Sequence, residues 1–180
     1  PYWVREAVKL LKGSAVKIAT VVGFPMGYSH TPAKIEECKR AVDEGAHEID
    51  LVINIAALKE GDYNYLKNEL TSVTAMIHLR GAKLKVILET GLLTDEEIVK
   101  GCTLCKDQDV DFVKTSTGYA EKGATLEAVQ LMRKTLPSNI KIKASGGIRN
   151  YAFAKQLIEA GADRIGCSAG VAIVKESMNG

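Results

Sequence analysis

Signals for a helix end followed by a strand start recur along this chain, and their order constrains the fold more than any other feature. Asp43 to Asp50 (Asp-Glu-Gly-Ala-His-Glu-Ile-Asp) and Glu159 to Gly166 (Glu-Ala-Gly-Ala-Asp-Arg-Ile-Gly) share one plan. Each reads as a helix end, a glycine just beyond it, and an apolar strand start. Asp107 to Lys114 fits more loosely, with Asp109 where the glycine would stand. Aspartate tolerates a left-handed backbone better than most residues, so the plan survives there. Helical and β-branched segments alternate throughout without a hairpin signal. Strands separated by helices pair in parallel, with the helices covering the sheet.

Strands are predicted over 17–22, 48–54, 84–89, 110–115, 140–144 and 164–167. Helices are predicted over 4–12, from Thr31-Pro32 to Gly45, from Asp62 through Ile77, and over 95–106, 126–135, 151–160 and 170–176. Thr31 is read as an N-cap with proline at the first helical position. Units of roughly 25 to 35 residues suit a β/α barrel or a doubly wound sheet. No Gly-x-Gly-x-x-Gly follows the first strand, which disfavours a dinucleotide fold. Both architectures stay open at this point, as one domain over 1–180, with six strands counted where a barrel needs eight.

The totals exclude several function classes. A net charge of +2 without a lysine/arginine run, and 6% aromatic residues, give no nucleic-acid surface. No apolar stretch approaches the roughly 20 residues of a membrane helix. Four cysteines without framework spacing point to a reducing, cytoplasmic setting. Cys102 and Cys105 form a lone Cys-x-x-Cys. The capping box Thr94-x-x-Glu97 favours a helix with both cysteines on its core face over a metal or redox pair.

Three strands carry an ionisable residue inside an apolar run: Asp50, Lys114 and Lys143. Side chains alternate across a strand, so Asp50 shares a face with Val52, and Lys114 with Phe112. If those faces line a barrel near the C-terminal strand ends, one acid and two lysines converge where such barrels place their chemistry. Burial and a second cation both disfavour an ammonium, and a neutral lysine attacks an aldehyde or ketone to form an iminium. Asp50 would shuttle protons, directly or through water. Separate structural ion pairs are the competing reading. Lys141 is a decoy for Lys143, nearer the strand start.

A second constellation suits an anion. Gly146-Gly147 precedes a helix capped at Asn150, and Gly166-Cys-Ser168 precedes the last helix. Glycines admit close approach to backbone N–H groups, and helix N-termini favour negative charge.

Four segments carry a resemblance. Phe112 to Gly118 (Phe-Val-Lys-Thr-Ser-Thr-Gly), Lys143 to Arg149 (Lys-Ala-Ser-Gly-Gly-Ile-Arg), Glu48 to Asn54 (Glu-Ile-Asp-Leu-Val-Ile-Asn) and Lys85 to Thr90 (Lys-Val-Ile-Leu-Glu-Thr) resemble the deoxyribose-phosphate aldolases. The resemblance implies a class I aldolase on an α/β (β/α)8 TIM barrel, here with about six of its eight strands, and with no cofactor and no metal. It implies reversible cleavage of 2-deoxy-D-ribose 5-phosphate to glyceraldehyde 3-phosphate and acetaldehyde, in deoxynucleoside catabolism. It assigns the Schiff base to Lys114, the perturbing lysine to Lys143 and acid/base work to Asp50. Gly118, Gly146, Gly147, Gly166 and Ser168 match the phosphate-binding loops.

Tyr119 stands where some members have a phosphate-holding lysine, and Ala169 where some have a serine. Pro1 matches a point just after the family's second strand, so about the first 40 residues are expected to be missing. The partner expected is a small sugar phosphate, with no nucleic acid and no membrane, and homo-oligomer formation stays open. Two alternatives also stay open: another Schiff-base sugar-phosphate aldolase, and a catalytically inactive sugar-phosphate binder.

Overall fold

The structure, a computed structural model, describes residues 1–179. Six strands form one parallel sheet in sequence order: β1 (Ala19–Val22), β2 (Glu48–Val52), β3 (Lys83–Ile87), β4 (Phe112–Lys114), β5 (Lys141–Ser145) and β6 (Arg164–Gly166). Around them lie α1 (Val4–Leu10), α2 (Thr31–Asp43), α3 (Ile55–Glu60), α4 (Tyr63–Leu79), α5 (Asp95–Asp107), α6 (Leu126–Thr135), α7 (Tyr151–Glu159) and α8 (Gly170–Asn179). None of these helices is long and apolar enough to cross a membrane.

The expected caps form at Asp62, Thr94, Thr125 and Asn150, whose side chains accept backbone N–H groups, and Thr94 with Glu97 completes a capping box. Two local expectations are corrected. The residue before α2 is His30, so Thr31 is already helical and Pro32 sits in the first turn, where its missing N–H costs nothing. Between Asn54 and Asp62 lies the short helix α3, started by the Asn54 side chain and ended by left-handed Gly61. Strands β1, β2 and β4 are shorter than their apolar runs. Asp109 does adopt a positive φ of 53° after α5, doing the work of the glycine in the other units.

The outward-facing strand residues Ile49, Leu51, Leu84, Val86, Val113 and Ile142 pack beneath the helices in one core. Cys102 and Cys105 belong to that core, and burial pushes the Cys102 thiol up to about 12. The inner face is different, because its residues carry charge.

Register shows that this arc has barrel geometry. Paired residues run Val52, Ile87, Lys114, Lys143, Arg164 from β2 to β6. Yet Arg164 reaches across the concave face to Glu48, four residues below Val52 on β2, with Nη1 2.6 Å from Oε2. Four strand steps thus accumulate a stagger of about four residues. One residue per step is the stagger of an eight-stranded barrel with shear 8. Strands β1 and β6 each pair with one neighbour among the described residues, so the sheet is an incomplete (β/α) barrel.

One buried ion pair fixes the end of β2. Lys34 of α2 and Glu69 of α4 are both fully buried, with Nζ 2.8 Å from Oε1. Lys34 also donates to the Val52 carbonyl at 2.9 Å, and Glu69 accepts the Asn54 N–H at 3.2 Å. Replacing Lys34 with methionine strands the carboxylate in the core, and a loss of about 3–5 kcal/mol is expected in urea denaturation. The double variant Lys34→Met/Glu69→Gln should recover most of that loss, because a glutamine oxygen still accepts from Asn54.

Candidate active site

The inner face of the arc is a column of ionic contacts. On β2, Glu48 and Asp50 point inward by alternation, as do Lys85 on β3, Phe112 and Lys114 on β4, and Lys143 on β5. Asp50 is 3% exposed. Its Oδ2 accepts from Lys114 Nζ at 2.9 Å and from Lys143 Nζ at 2.8 Å. Its Oδ1 accepts from Lys85 Nζ at 2.9 Å. Lys85 lies 2.6 Å from Glu48 Oε2, the same oxygen that holds Arg164. The Phe112 ring lies between, with the Arg164 guanidinium 4.7 Å and the Lys85 ammonium 5.8 Å from its centroid.

Four cationic side chains therefore meet two carboxylates in a confined space. Burial alone would raise the Asp50 carboxyl, but Lys114, Lys143 and Lys85 override it and hold the group far below the usual carboxylate range. Glu48 is likewise lowered, with Lys85 and Arg164 outweighing burial. Lys143 is pushed down, first by burial and then by the charges of Lys114 and Lys85, against the pull of Asp50. Such a site keeps its carboxylate ionised and favours release of a proton from Lys143.

Above this floor opens a cavity of about 550 Å³. Lys114, Gly118, Lys143, Gly146, Gly147, Gly166 and Ser168 all line it, so seven of the eight residues singled out in the sequence meet there. Asp50, the eighth, lies beneath the two lysines. The rim is built from three loops at the C-terminal strand ends. Gly146 has a φ of 88° and packs against Gly123 so closely that a Cβ would stand 2.9 Å from the Gly123 Cα. At Gly166 a Cβ would fall 2.9 Å from the Lys143 Cε, so this glycine leaves the passage through which Lys143 reaches Asp50.

Residues 3–177 match the family described as DeoC/LacD family aldolase. The chain belongs to this aldolase family. It is 53% identical over 177 residues to the deoxyribose-phosphate aldolase of Thermococcus kodakarensis, covering 97% of this chain and 79% of that protein. The deoxyribose-phosphate aldolase of Caldanaerobacter subterraneus is 51% identical, with 98% and 77% covered. Among solved structures, the tetrameric deoxyribose phosphate aldolase of Aeropyrum pernix superposes with a TM-score of 0.91 at 30% identity, over 99% of this chain and 75% of that one.

Within this DeoC/LacD-type barrel, sequence reasoning missed several residues. Lys85, fully buried, and Glu48 extend the charged column downward. The signal that marked Asp50, a charge inside an apolar run, was also present at Lys85 in Leu84-Lys-Val-Ile-Leu88, and strand alternation puts Glu48 on the same face as Asp50. Thr117, Ser145 and Arg149 add polar groups to the cavity wall. Tyr119 is largely exposed and meets Phe24 of the β1 loop edge-on at 5.4 Å. Lys141 lies exposed at the start of β5, away from the cavity lining.

The ionic floor yields a pH signature. The native Asp50 pKa is depressed, so its stabilisation is complete above the unfolded carboxylate range and is lost on acidification below it. In Asp50→Asn, Lys143 loses the counter-charge that opposes its lowering and falls further, so the folded state holds fewer protons than the unfolded one. Stability of the variant should then rise with pH toward the unfolded lysine range of about 10.4. Urea midpoints at neutral and alkaline pH test this: the deficit relative to the parent should narrow on the alkaline side.

Proposed function

We propose that this chain is a Schiff-base aldolase acting on 2-deoxy-D-ribose 5-phosphate, reversibly releasing D-glyceraldehyde 3-phosphate and acetaldehyde. The observation that carries the reading is the single Asp50 oxygen shared by Lys114 and Lys143 beneath a glycine-rimmed cavity. The names of relatives at about half identity support the substrate class.

The Lys114 amine attacks C1 of the open-chain aldehyde, and the carbinolamine loses water to give an iminium. The iminium draws the electron pair of the C2–C3 bond as that bond breaks, and the C3 hydroxyl gives up its proton as C3 becomes the aldehyde of glyceraldehyde 3-phosphate. The enamine left on Lys114 takes a proton at C2, and water releases acetaldehyde. Lys143, pushed below the ordinary lysine range by burial, gives up its proton more readily than a surface lysine and is suited to proton exchange. Asp50, held ionised, bridges the two amines and passes protons between them rather than storing one. The amides of Gly118, Gly146, Gly147 and Gly166, with the Ser168 hydroxyl, would receive the phosphate, beside the N-terminus of α8.

The substrate is a small sugar phosphate held without a metal or organic cofactor. A homo-oligomer is the assembly we favour, by analogy with the tetrameric Aeropyrum relative.

Borohydride added with substrate should trap an adduct that mass spectrometry places on Lys114. An adduct on Lys143, or none, would overturn the assignment, and binding without turnover would identify a sugar-phosphate binder. Lys143→Leu should cost about a hundredfold or more in rate, whereas Lys141→Leu should cost little. Equal losses would mean that the wrong second lysine has been named.

A further inference from the structure

Glu89 is a buried carboxylate that the reaction above does not use. It follows β3, is 3% exposed, and adopts a left-handed backbone with φ 61° and ψ 59°. Asp109 is the only other described non-glycine residue with positive φ, and it sits in a turn after a helix. A left-handed glutamate in the interior is a strained arrangement that persists only where its surroundings enforce it. No lysine or arginine pairs with Glu89 among the described residues.

Its side-chain partners are both on one residue. The Thr117 N–H lies 3.2 Å from each carboxylate oxygen, and the Thr117 hydroxyl donates to Oε2. The same hydroxyl accepts the Tyr119 N–H at 3.1 Å. Thr117 and Gly118 line the cavity, and Gly118 has a φ of 91°. Glu89 thus holds the Thr117–Gly118 turn that lines the cavity, through charge-assisted bonds.

The far end of this loop is held separately. Ala124 N–H lies 3.0 Å from the Ser145 carbonyl and 3.1 Å from that of Gly146. Next to the clamp, Gly91 packs on the Lys122 backbone so tightly that a Cβ would stand 2.6 Å from its carbonyl oxygen. The loop is therefore built as a rigid wall anchored on β3 and β5.

We propose that Glu89 is a positioning residue for recognition of the substrate's anionic end: it presents the Thr117–Gly118 turn to the cavity and leaves Schiff-base formation at Lys114 untouched. The proposal rests on the reading of this cavity as the phosphate site. Glu89→Gly removes the carboxylate and suits the left-handed backbone, so it should fold. Glu89→Gln keeps an acceptor oxygen for Thr117.

The test compares 2-deoxyribose 5-phosphate with unphosphorylated 2-deoxyribose, and adds borohydride trapping with acetaldehyde alone. Glu89→Gly is expected to raise KM for the phosphorylated sugar by about tenfold or more, the loss of bonds to a charged group. Its kcat/KM for deoxyribose and its acetaldehyde trapping should stay close to the parent's, and Glu89→Gln should restore most of the KM. If Glu89→Gly is insoluble, Glu89→Asn, which also suits the left-handed backbone but falls a methylene short of Thr117, should give the same split. Equal losses on both sugars, or no loss on either, would overturn the positioning role while the aldolase reading stands. A parent enzyme with no preference for the phosphorylated sugar would overturn the phosphate site, and this proposal with it.

Discussion

One carboxylate oxygen, shared between two lysines, is the contact on which the cavity depends. Asp50 cannot satisfy Lys114 and Lys143 as two independent ion pairs, because both amines compete for Oδ2 while Lys85 occupies Oδ1. Glu48, the other carboxylate of the column, is committed to Lys85 and Arg164. In this confined space Lys143 is pushed below the ordinary lysine range by burial and by the charges of Lys114 and Lys85. Arg164, tied to Glu48, lies at the bottom of the column, and Lys143 lines the cavity, so an amine that gives up its proton readily faces the substrate space.

Much of this was legible in the sequence, and the reason is periodicity. Helix and strand signals alternated cleanly, and charges inside apolar strands marked Asp50, Lys114 and Lys143 before any contact was known. Gly146, Gly147, Gly166 and Ser168 were marked by their place between a strand end and a helix start. Asp109 was legible at the level of a single dihedral, because its segment repeated the plan of Asp43 to Asp50 with one substitution.

What stayed hidden has a common physical cause: it depends on partners distant in sequence. Lys34 looks like a surface residue of an amphipathic helix until Glu69, 35 residues away, is seen to meet it. Glu89 reads as a strand end, since nothing in Leu-Glu-Thr announces a left-handed backbone. Gly166 was marked for a phosphate, and the passage it leaves for Lys143 appears only when β5 and β6 are side by side. Lys85 was missed for a different reason: it too is a charge inside an apolar run, Leu84 to Leu88, and the criterion that picked out Asp50 was not extended to the neighbouring strand.

Register ties the column to the fold. With about one residue of stagger per strand step, the level of Asp50 on β2 falls beside Lys114 on β4, two steps away, although the hydrogen-bonding row pairs Lys114 with Val52 through Ile87. Lys85 on β3, one step away, falls level with Ile49, between Glu48 and Asp50, which is why it touches both. A slip of β2 by one residue would bring Ile49 or Leu51 to the inner face and remove both carboxylates at once. The apolar outer face forbids that slip, since it would turn Glu48 and Asp50 into the layer beneath α2 and α4. The hydrophobic core under the helices thus specifies the register, and the register in turn assembles the charges on the concave side.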